Sequence, residues 1–242
     1  MRRFFYNPAQ DTTEYVLITG AEAHHLKTVL RMHVGAKAEL YDGAGSLICG
    51  EIEQISANSV SFRILSRRQE QESCSPLTLV QALLNKGKKM DTVVQKATEL
   101  GVHSFVPVIT RYCEPQGKDS QLLQRWQRIM LEACKQCGRP VPMQISLPQP
   151  LHELTFPAVS RKIMPWENET TCPFAALGLT AGQPVTLLIG PEGGFHIDEV
   201  EHAQASGFTT VSLGPRILRA ETASIVAAAL VQNALHNLDP LP

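Results

Sequence analysis

Two glycine-bearing turns in the C-terminal third of the chain are the residues best placed to do chemistry. The first turn, at 190–195, follows the apolar run 185–189, and the second turn, at 214–219, follows the run 209–213. Both runs are short and are predicted to be buried strands, and the first is apolar, as is typical of a strand buried in a sheet. In an open parallel sheet, ligands bind beyond the carboxyl ends of the strands. The two turns are therefore predicted to form one ligand site.

Glycine residues give the first turn its chemical character. Gly190, Gly193 and Gly194 can adopt positive φ and leave no Cβ between the backbone and a ligand, so main-chain groups are the expected recognition elements. Two roles are open for Glu192 in this turn. It could contact a positive charge on the ligand, or it could cap the helix predicted to begin near His196.

The elements that must position these turns alternate between strand and helix from residue 77 onward. This alternation predicts an α/β fold, a parallel sheet covered by helices on both faces. The predicted strands are 77–83, 105–109, one centred on Ile163, 185–189 and 209–213. The predicted helices are 90–100, 122–137, 197–205 and 220–235.

The first 70 or so residues show a different pattern, in which short strands are separated by turn signals. The strands are predicted at 15–18, 36–41, 46–55 and 59–65, with one helix at 21–31, which indicates a small barrel. The polar stretch 67–73 has no apolar periodicity and is predicted to be a linker. We therefore predict two domains, at 1–72 and 73–242.

Composition excludes several classes of protein. Of 242 residues, 43% are hydrophobic, which supports a sizeable core. No apolar run reaches about 18 residues and no basic leader precedes one, so we expect no membrane span, no secretory signal and a cytoplasmic location. The six cysteines are scattered, which predicts reduced thiols. Cys134 and Cys137 lack a second pair, so helix packing is favoured over a metal site.

Charge is unevenly distributed along the chain, although the formal net charge is only −1. Between residues 86 and 139, ten basic side chains stand against five acidic ones. Such a local excess fits a phosphate-binding surface, and it fits an ordinary solvated surface equally well.

Motifs across nearly the whole chain resemble one family. The most specific are LLIGPEGGF at 187–195 and LGPRILRAETA at 213–223, and further matches lie at 1–5, 25–32, 86–101 and 132–139. The chain is similar to the RsmE family of 16S ribosomal RNA methyltransferases, which belong to the SPOUT superfamily. The resemblance implies a PUA-like β-barrel that binds RNA, followed by a SPOUT methyltransferase domain with a deep trefoil knot. It also implies a homodimer.

The same resemblance implies S-adenosyl-L-methionine as cofactor and N3 of a uridine in 16S rRNA, within the small ribosomal subunit, as the methylated atom. The cofactor would lie among main-chain groups and apolar walls of the two turns. The expected cofactor-binding residues are Met164, Pro165, Leu188, Ile189, Gly190, Pro191, Glu192, Gly193, Gly194, Leu213, Gly214, Ile217 and Leu218. No metal is implied.

Arg219 and Glu221 are the catalytic candidates. Methylation at N3 removes a proton and leaves negative charge on the ring oxygens, which a guanidinium stabilises. Arg219 is the candidate for that role, and a contact with an RNA phosphate or a loop carboxylate is an open alternative. Glu221 suits the start of an apolar helix, where its carboxylate can satisfy free amides, and this structural role is favoured over a catalytic one. No residue is an obvious general base, and solvent or a carboxylate could take the proton. Ala220 stands where the family commonly has a hydroxyl residue, so a possible helix cap is missing.

N3 lies on the Watson–Crick edge, so the target base must be unpaired or extruded and the flanking RNA must be held. The candidate RNA contacts are Arg3, Arg31, Lys86, Lys88, Arg111 and Arg139. For each of them a solvated surface charge is an alternative. Phe4 and Phe5 could stack on a base, but core packing is favoured. Tyr6 lengthens the opening segment relative to the family pattern, which weakens the assignment of Arg3.

Three other functions are weighed against this one. A SPOUT enzyme could methylate another RNA, for instance the ribose of a tRNA, and the methylated position would distinguish the two. An RNA-binding protein without activity is disfavoured by the intact glycines and Arg219. A nicotinamide dehydrogenase is weaker still, because no strand is followed by a G-x-G-x-x-G turn with an acidic residue about 20 positions later.

Overall fold

The computed structural model describes residues 1–69, 75–85, 88–114 and 119–239. The chain divides into two compact units, one of residues 1–73 and 134–142 and the other of residues 74–133 and 143–242. The predicted boundary between residues 72 and 73 lies outside the described residues and stays a prediction.

The segment 134–142 groups with the first unit, whereas the sequence placed it in the second domain. Lys135 forms an ion pair with Glu22, and the Arg3 guanidinium lies against the bare backbone of Gly138. A Cβ at Gly138 would lie 2.4 Å from Arg3 Nη1. Local periodicity identifies the helix that ends here but carries no information about these long-range partners.

A five-stranded sheet forms the first unit, in the order β1-β3-β4-β5-β2. Its strands are β1 (Arg2–Phe5), β2 (Tyr15–Thr19), β3 (Lys37–Tyr41), β4 (Ser46–Ile55) and β5 (Ser59–Gln69). β1 runs parallel to β3, and the other neighbours are antiparallel. Alternate side chains face a core that includes Phe4, Val16, Leu40, Ile48 and Phe62.

Two predictions for this unit are wrong in detail. Residues 67–69, predicted as linker, continue β5 and pair with β4, and Arg67 forms an ion pair with Asp11 at 2.7 Å. Backbone pairing does not need apolar residues on an exposed face, so the polar composition concealed the strand. The helix predicted at 21–31 is α1 (Gly20–His24) followed by a π-helical turn (His25–Val29). Arg31 has a φ of 48°, a left-handed conformation that does not continue a helix.

A seven-stranded sheet forms the second unit, and every pairing among its described residues is parallel. The order is β12-β10-β11-β6-β7-β8, with β9 also paired to β7. The strands are β6 (Leu77–Ala82), β7 (Ser104–Ile109), β8 (Gln144–Ile145), β9 (Gln149–Pro150), β10 (Arg161–Pro165), β11 (Val185–Ile189) and β12 (Thr209–Val211). The longer helices are α2 (Lys89–Glu99), α3 (Asp119–Cys137), α4 (Ile197–Ala205) and α5 (Ala220–Ala234).

The strand order of this sheet reverses between β6 and β11. The strands β7 and β8 lie on one side of β6, whereas β11, β10 and β12 lie on the other. Such a reversal opens a crevice at the carboxyl ends of the strands. Every residue of β11 is buried, which explains why four of its five residues are apolar.

The structure confirms the predicted α/β class, with a strand centred on Ile163, a strand at 185–189 and a helix at 197–205. The strand predicted at 209–213 ends at Val211, because the Ser212 amide donates to the Cys172 carbonyl instead. The deep knot stays a prediction. Within the described part of the chain, no helix combines the length and the apolar character needed to cross a membrane.

Candidate active site

A cavity of about 560 Å³ opens at the carboxyl ends of β10, β11 and β12. The first turn and the second turn form its walls, so the structure brings both around one space. The lining residues outside the turns are Lys89, Pro165, Trp166, Glu167, Ile189, Ser212, Leu213, Ala220, Glu221 and Ala223.

The first turn is tightly packed. Gly194 has a φ of +72°, and a Cβ on it would lie 2.3 Å from Glu167 Oε1. A Cβ on Gly190 would lie 3.0 Å from the ring of Phe195, which is itself buried. The Gly194 amide donates to the Pro191 carbonyl at 3.0 Å. At these glycines, therefore, a Cβ would crowd a neighbouring side chain.

Glu192 fixes the first turn from the side. Its Oε1 accepts from Lys89 Nζ at 2.7 Å, and both carboxylate oxygens lie 3.1 Å from the Asn85 amide, which donates to them. Burial raises the pKa of Glu192, but the Lys89 ammonium and nearby backbone amides outweigh it and hold this pKa below its ordinary value. Glu192 and Lys89 therefore form an ionised pair at the cavity wall.

Glu192 does not cap α4, so that alternative is wrong. His196 is the N-cap, and its Nδ1 accepts from the Asp198 amide at 3.3 Å. Glu199 completes a capping box, since its Oε2 accepts from the His196 amide at 2.9 Å.

The second turn is packed more openly than the first. Gly214 has a φ of +114°, but a Cβ on it would meet no atom within 4 Å. Ile217 lines the cavity and is 87% exposed. A side-chain hydrogen bond at the base of the turn joins the Gly214 amide to Ser212 Oγ at 3.3 Å.

A buried polar pair lies behind both turns. Gln81, at the end of β6, is fully buried, and its Nε2 donates to the Ala82 carbonyl at 3.0 Å and lies 3.5 Å from the Gly190 carbonyl. Its Oε1 accepts from the hydroxyl of Ser224 on α5. The Ser224 hydroxyl also lies 2.8 Å from the Ala220 carbonyl oxygen. Gln81 thereby connects the first turn to the helix that follows the second.

Both catalytic candidates border the cavity at the start of α5. Arg219 occupies the N-cap position, is exposed and makes no capping bond through its side chain. Glu221 is half-buried, and its Oε2 is buried without a hydrogen-bond partner among the described residues. A carboxylate oxygen in this state keeps its capacity to accept a hydrogen bond.

Two family models match the chain. Residues 70–232 match the RNA methyltransferase domain, and residues 18–65 match the RNA methyltransferase PUA domain. A protein from Buchnera aphidicola named ribosomal RNA small subunit methyltransferase E is 32% identical over 235 residues, 90% of either chain. This chain belongs to the RsmE family. The protein of the same name from Bacillus subtilis is 29% identical over 248 residues, 96% of each.

Solved structures of methyltransferases share the fold. The enzyme from Neisseria gonorrhoeae, in a crystal structure bound to S-adenosyl methionine, has a TM-score of 0.86 and 30% identity. The alignment covers 96% of this chain and 97% of that one. A methyltransferase from Legionella pneumophila, in complex with SAM, has a TM-score of 0.79 and 30% identity over the same shares.

Most of the residues predicted for the RsmE cofactor site line the cavity, but Met164 and Leu188 do not. Both are fully buried in a core cluster that includes Val200 of α4, because strand alternation turns them away from Pro165 and Ile189. They support the wall of the cavity from behind.

Sequence reasoning missed several residues that line the cavity. Lys89 entered the sequence analysis only as one of the basic residues between 86 and 139. Nothing in the sequence indicates that Glu192 pairs with a residue about a hundred positions away. Trp166 and Glu167 come directly after the strand predicted around Ile163. Their position beyond a carboxyl end, next to two ligand-binding turns, could have identified them.

The basic residues predicted to contact RNA differ in exposure. Arg31, Lys88 and Arg111 are exposed. Arg3 donates to Glu39 Oε2 at 2.9 Å, and this bond raises the pKa of Arg3 above its ordinary value.

Of the other two RNA predictions, one is untested and the other conflicts with the burial of its side chain. Lys86 lies outside the described residues. Arg139 is only 7% exposed, so the structure contradicts its prediction as a surface contact, and it packs in the first unit. The basic character of the segment 86–139 suggested a surface role that burial excludes at this position.

Proposed function

We propose that this chain transfers a methyl group from S-adenosyl-L-methionine to N3 of one uridine in 16S rRNA. The observation that carries the proposal is the cavity between the first and second turns, in a chain of the RsmE family. The runner-up, a SPOUT enzyme acting on another RNA, shares this cavity and differs only in the acceptor.

The residues present fit the cofactor. The cavity volume of about 560 Å³ lies within the range of roughly 300–1,000 Å³ common for small-molecule sites. Bare glycine backbone on the first turn can approach an adenine, and Ile189, Leu213 and Leu218 supply apolar walls. When bound, the cofactor supplies an activated methyl group on a sulfonium.

Glu221 and Arg219 perform complementary roles in this proposal. The Glu221 carboxylate would accept the N3 proton, and the electron pair left on N3 would form the new bond to the methyl carbon as the sulfur–carbon bond breaks and leaves a neutral thioether. Arg219 stabilises the negative charge that develops on the uracil oxygens. Both side chains border the cavity, and the exposed position of Arg219 lets it meet a base that enters from solvent.

The wider context also belongs to the proposal. The substrate is 16S rRNA within the small ribosomal subunit, the enzyme acts in the cytoplasm, and two copies form a homodimer. The family resemblance supports all three of these statements. Light scattering should give twice the mass of one chain, and the mass of a single chain would contradict the homodimer.

The first experiment incubates the protein with labelled S-adenosyl-L-methionine and unmodified small subunits, and then maps the labelled nucleoside by mass spectrometry. We expect N3-methyluridine at a single site. A methyl on another atom or another RNA would replace the substrate and favour the runner-up. Absence of cofactor binding by calorimetry would contradict the whole proposal.

The catalytic roles are tested by Arg219→Ala and Glu221→Gln in the same assay. Removing one preorganised charge-stabilising donor costs about 10²–10³ in kcat, and we expect Arg219→Ala to behave so with unchanged cofactor affinity. Glu221→Gln should shift the pH profile of methyl transfer, since it removes the proton acceptor. An unchanged pH profile would assign the proton to solvent.

A further inference from the structure

An exposed aromatic side chain packs on the first turn, next to residues that line the cavity. Tyr112, which follows β7, is 47% exposed, an unusual position for a large ring. Its Cβ packs on Gly193 of the first turn, where an added Cβ would lie 3.1 Å from it. Because Gly193 lines the cavity, the Tyr112 ring lies beside the cavity wall.

The ring is held in place on several sides. It makes an edge contact with His196, with ring centroids 6.1 Å apart and planes at 68°. The backbone next to the ring is also bonded. The amide of the preceding residue, Arg111, donates to Glu199 Oε1 at 2.8 Å. The amide of the following residue, Cys113, donates to the Thr110 carbonyl at 3.1 Å. The backbone that carries the ring is therefore fixed, and little conformational entropy remains to be lost when a ligand stacks on it.

A cation accompanies the ring. The Arg111 side chain is 59% exposed, and its Nη1 lies 3.0 Å from His196 Nε2 and 3.8 Å from Asp198 Oδ2. An exposed guanidinium next to an exposed aromatic ring suits two groups of a nucleotide, the phosphate and the base. The ring can stack on the base while the guanidinium contacts the phosphate.

We propose that Tyr112 is a stacking platform for an unpaired base of the substrate RNA, with Arg111 on the adjoining phosphate. This inference rests on the proposed function, which requires an unpaired uridine to enter the same cavity. A base that leaves its helical stack loses its neighbours, and an aromatic ring at the cavity edge replaces one of them.

The test compares Tyr112→Ala, Tyr112→Leu and Tyr112→Phe by binding to a fluorescent single-stranded fragment of 16S rRNA, without cofactor and without turnover. Base stacking on an aromatic residue is worth about 10-fold to 100-fold in affinity. We expect Ala and Leu to weaken RNA binding by about that factor and Phe to stay within about threefold, since only Phe keeps the ring. Cofactor affinity, measured by calorimetry, should be unchanged in all three.

Val159→Ala is the matched control, because Val159 is 79% exposed just before the amino end of β10, at the opposite edge of the sheet. Two results would overturn stacking: an equal loss of RNA affinity in Tyr112→Phe and Tyr112→Ala, or unchanged RNA binding by Tyr112→Ala. An effect seen with whole subunits but not with protein-free RNA would assign the ring to a ribosomal protein and also overturn it. If RNA binding depends on Tyr112 but no methyl transfer is detected, the proposed function is contradicted and the stacking role of Tyr112 is retained.

Discussion

The first and second turns form one cavity but are held in opposite ways. In the first turn, Glu192 is bonded to Lys89 and to the Asn85 amide, and the space beside Gly194 is taken by Glu167. In the second turn, the space beside Gly214 is open and Ile217 is 87% exposed. One wall of the site is thus fixed before a ligand arrives, and the other is free to adjust.

This difference assigns the two turns separate tasks, which their sequence motifs alone do not distinguish. A fixed wall recognises a ligand with little ordering cost, whereas a lightly held wall can cover the ligand after it enters. The buried Gln81 and Ser224 pair sits where the two meet, since it touches the Gly190 carbonyl on one side and α5 on the other. Substitutions on the fixed side should therefore cost stability, and those on the adjustable side should cost ligand affinity.

The largest expected effect is a difference in unfolding free energy between two Ser→Ala substitutions, one behind the first turn and one at the base of the second. Ser224→Ala removes the buried donor to Gln81 Oε1 and should lower the free energy of unfolding by about 1–3 kcal/mol, the usual cost of an unsatisfied buried group. Ser212→Ala removes a hydroxyl at the base of the second turn, where water can replace it, and should cost under about 1 kcal/mol. Urea unfolding measures both. Equal losses would mean that the two walls are equally well held.

A second pair of variants compares the glycines. Gly194→Ala and Gly214→Ala both force a side chain into positive φ, at about 1–2 kcal/mol each. Only Gly194→Ala also displaces the Glu167 carboxylate, so its loss of unfolding free energy should exceed that of Gly214→Ala. Urea unfolding under identical conditions gives the comparison. A larger loss at Gly214 would show that the second turn is the more constrained.

The contrast between the two walls also marks how far the sequence could predict this molecule. Periodicity identified the β11 strand and α4, because a run of buried residues and an amphipathic pattern are local signals. The glycines located the site, because turns after buried strands collect at one edge of a parallel sheet. The resemblance supplied the chemistry, which no period or spacing contains.

The rest depended on contacts between residues far apart in the chain. Nothing in the sequence marks Lys89 as the partner of Glu192 or Gln81 as the partner of Ser224, since each pair is more than a hundred positions apart. The burial of Arg139 was hidden for the same reason. Spacing predicts which residues face a site, but it does not reveal which of them are already bonded to one another.

The third prediction concerns pH and the first turn. The pKa of Glu192 is lowered in the folded state, so its ionised form stabilises the fold above the ordinary value of 4.5, and this contribution is lost as pH falls through the lowered value. Glu192→Gln should therefore lower the midpoint of thermal unfolding at pH 7, by less than Gly194→Ala does because the pair is partly exposed. The difference from wild type should begin to shrink as pH falls below 4.5 and should close as pH falls through the lowered folded-state value. A difference in the midpoint of thermal unfolding that persists at pH 2 would mean that the substitution destabilises the fold through packing and not through charge.

The smallest expected effect on stability lies in the second turn, at Ile217. Its side chain is 87% exposed, so Ile217→Ala should leave the free energy of unfolding within about 0.5 kcal/mol of wild type. Affinity for S-adenosyl-L-methionine should nonetheless fall by about 3- to 10-fold, because closure over the cofactor would bury part of this side chain. Calorimetry measures the affinity, and hydrogen exchange should show protection of 214–219 only with cofactor. Unchanged affinity would make the second turn a static wall and remove the distinction between the two.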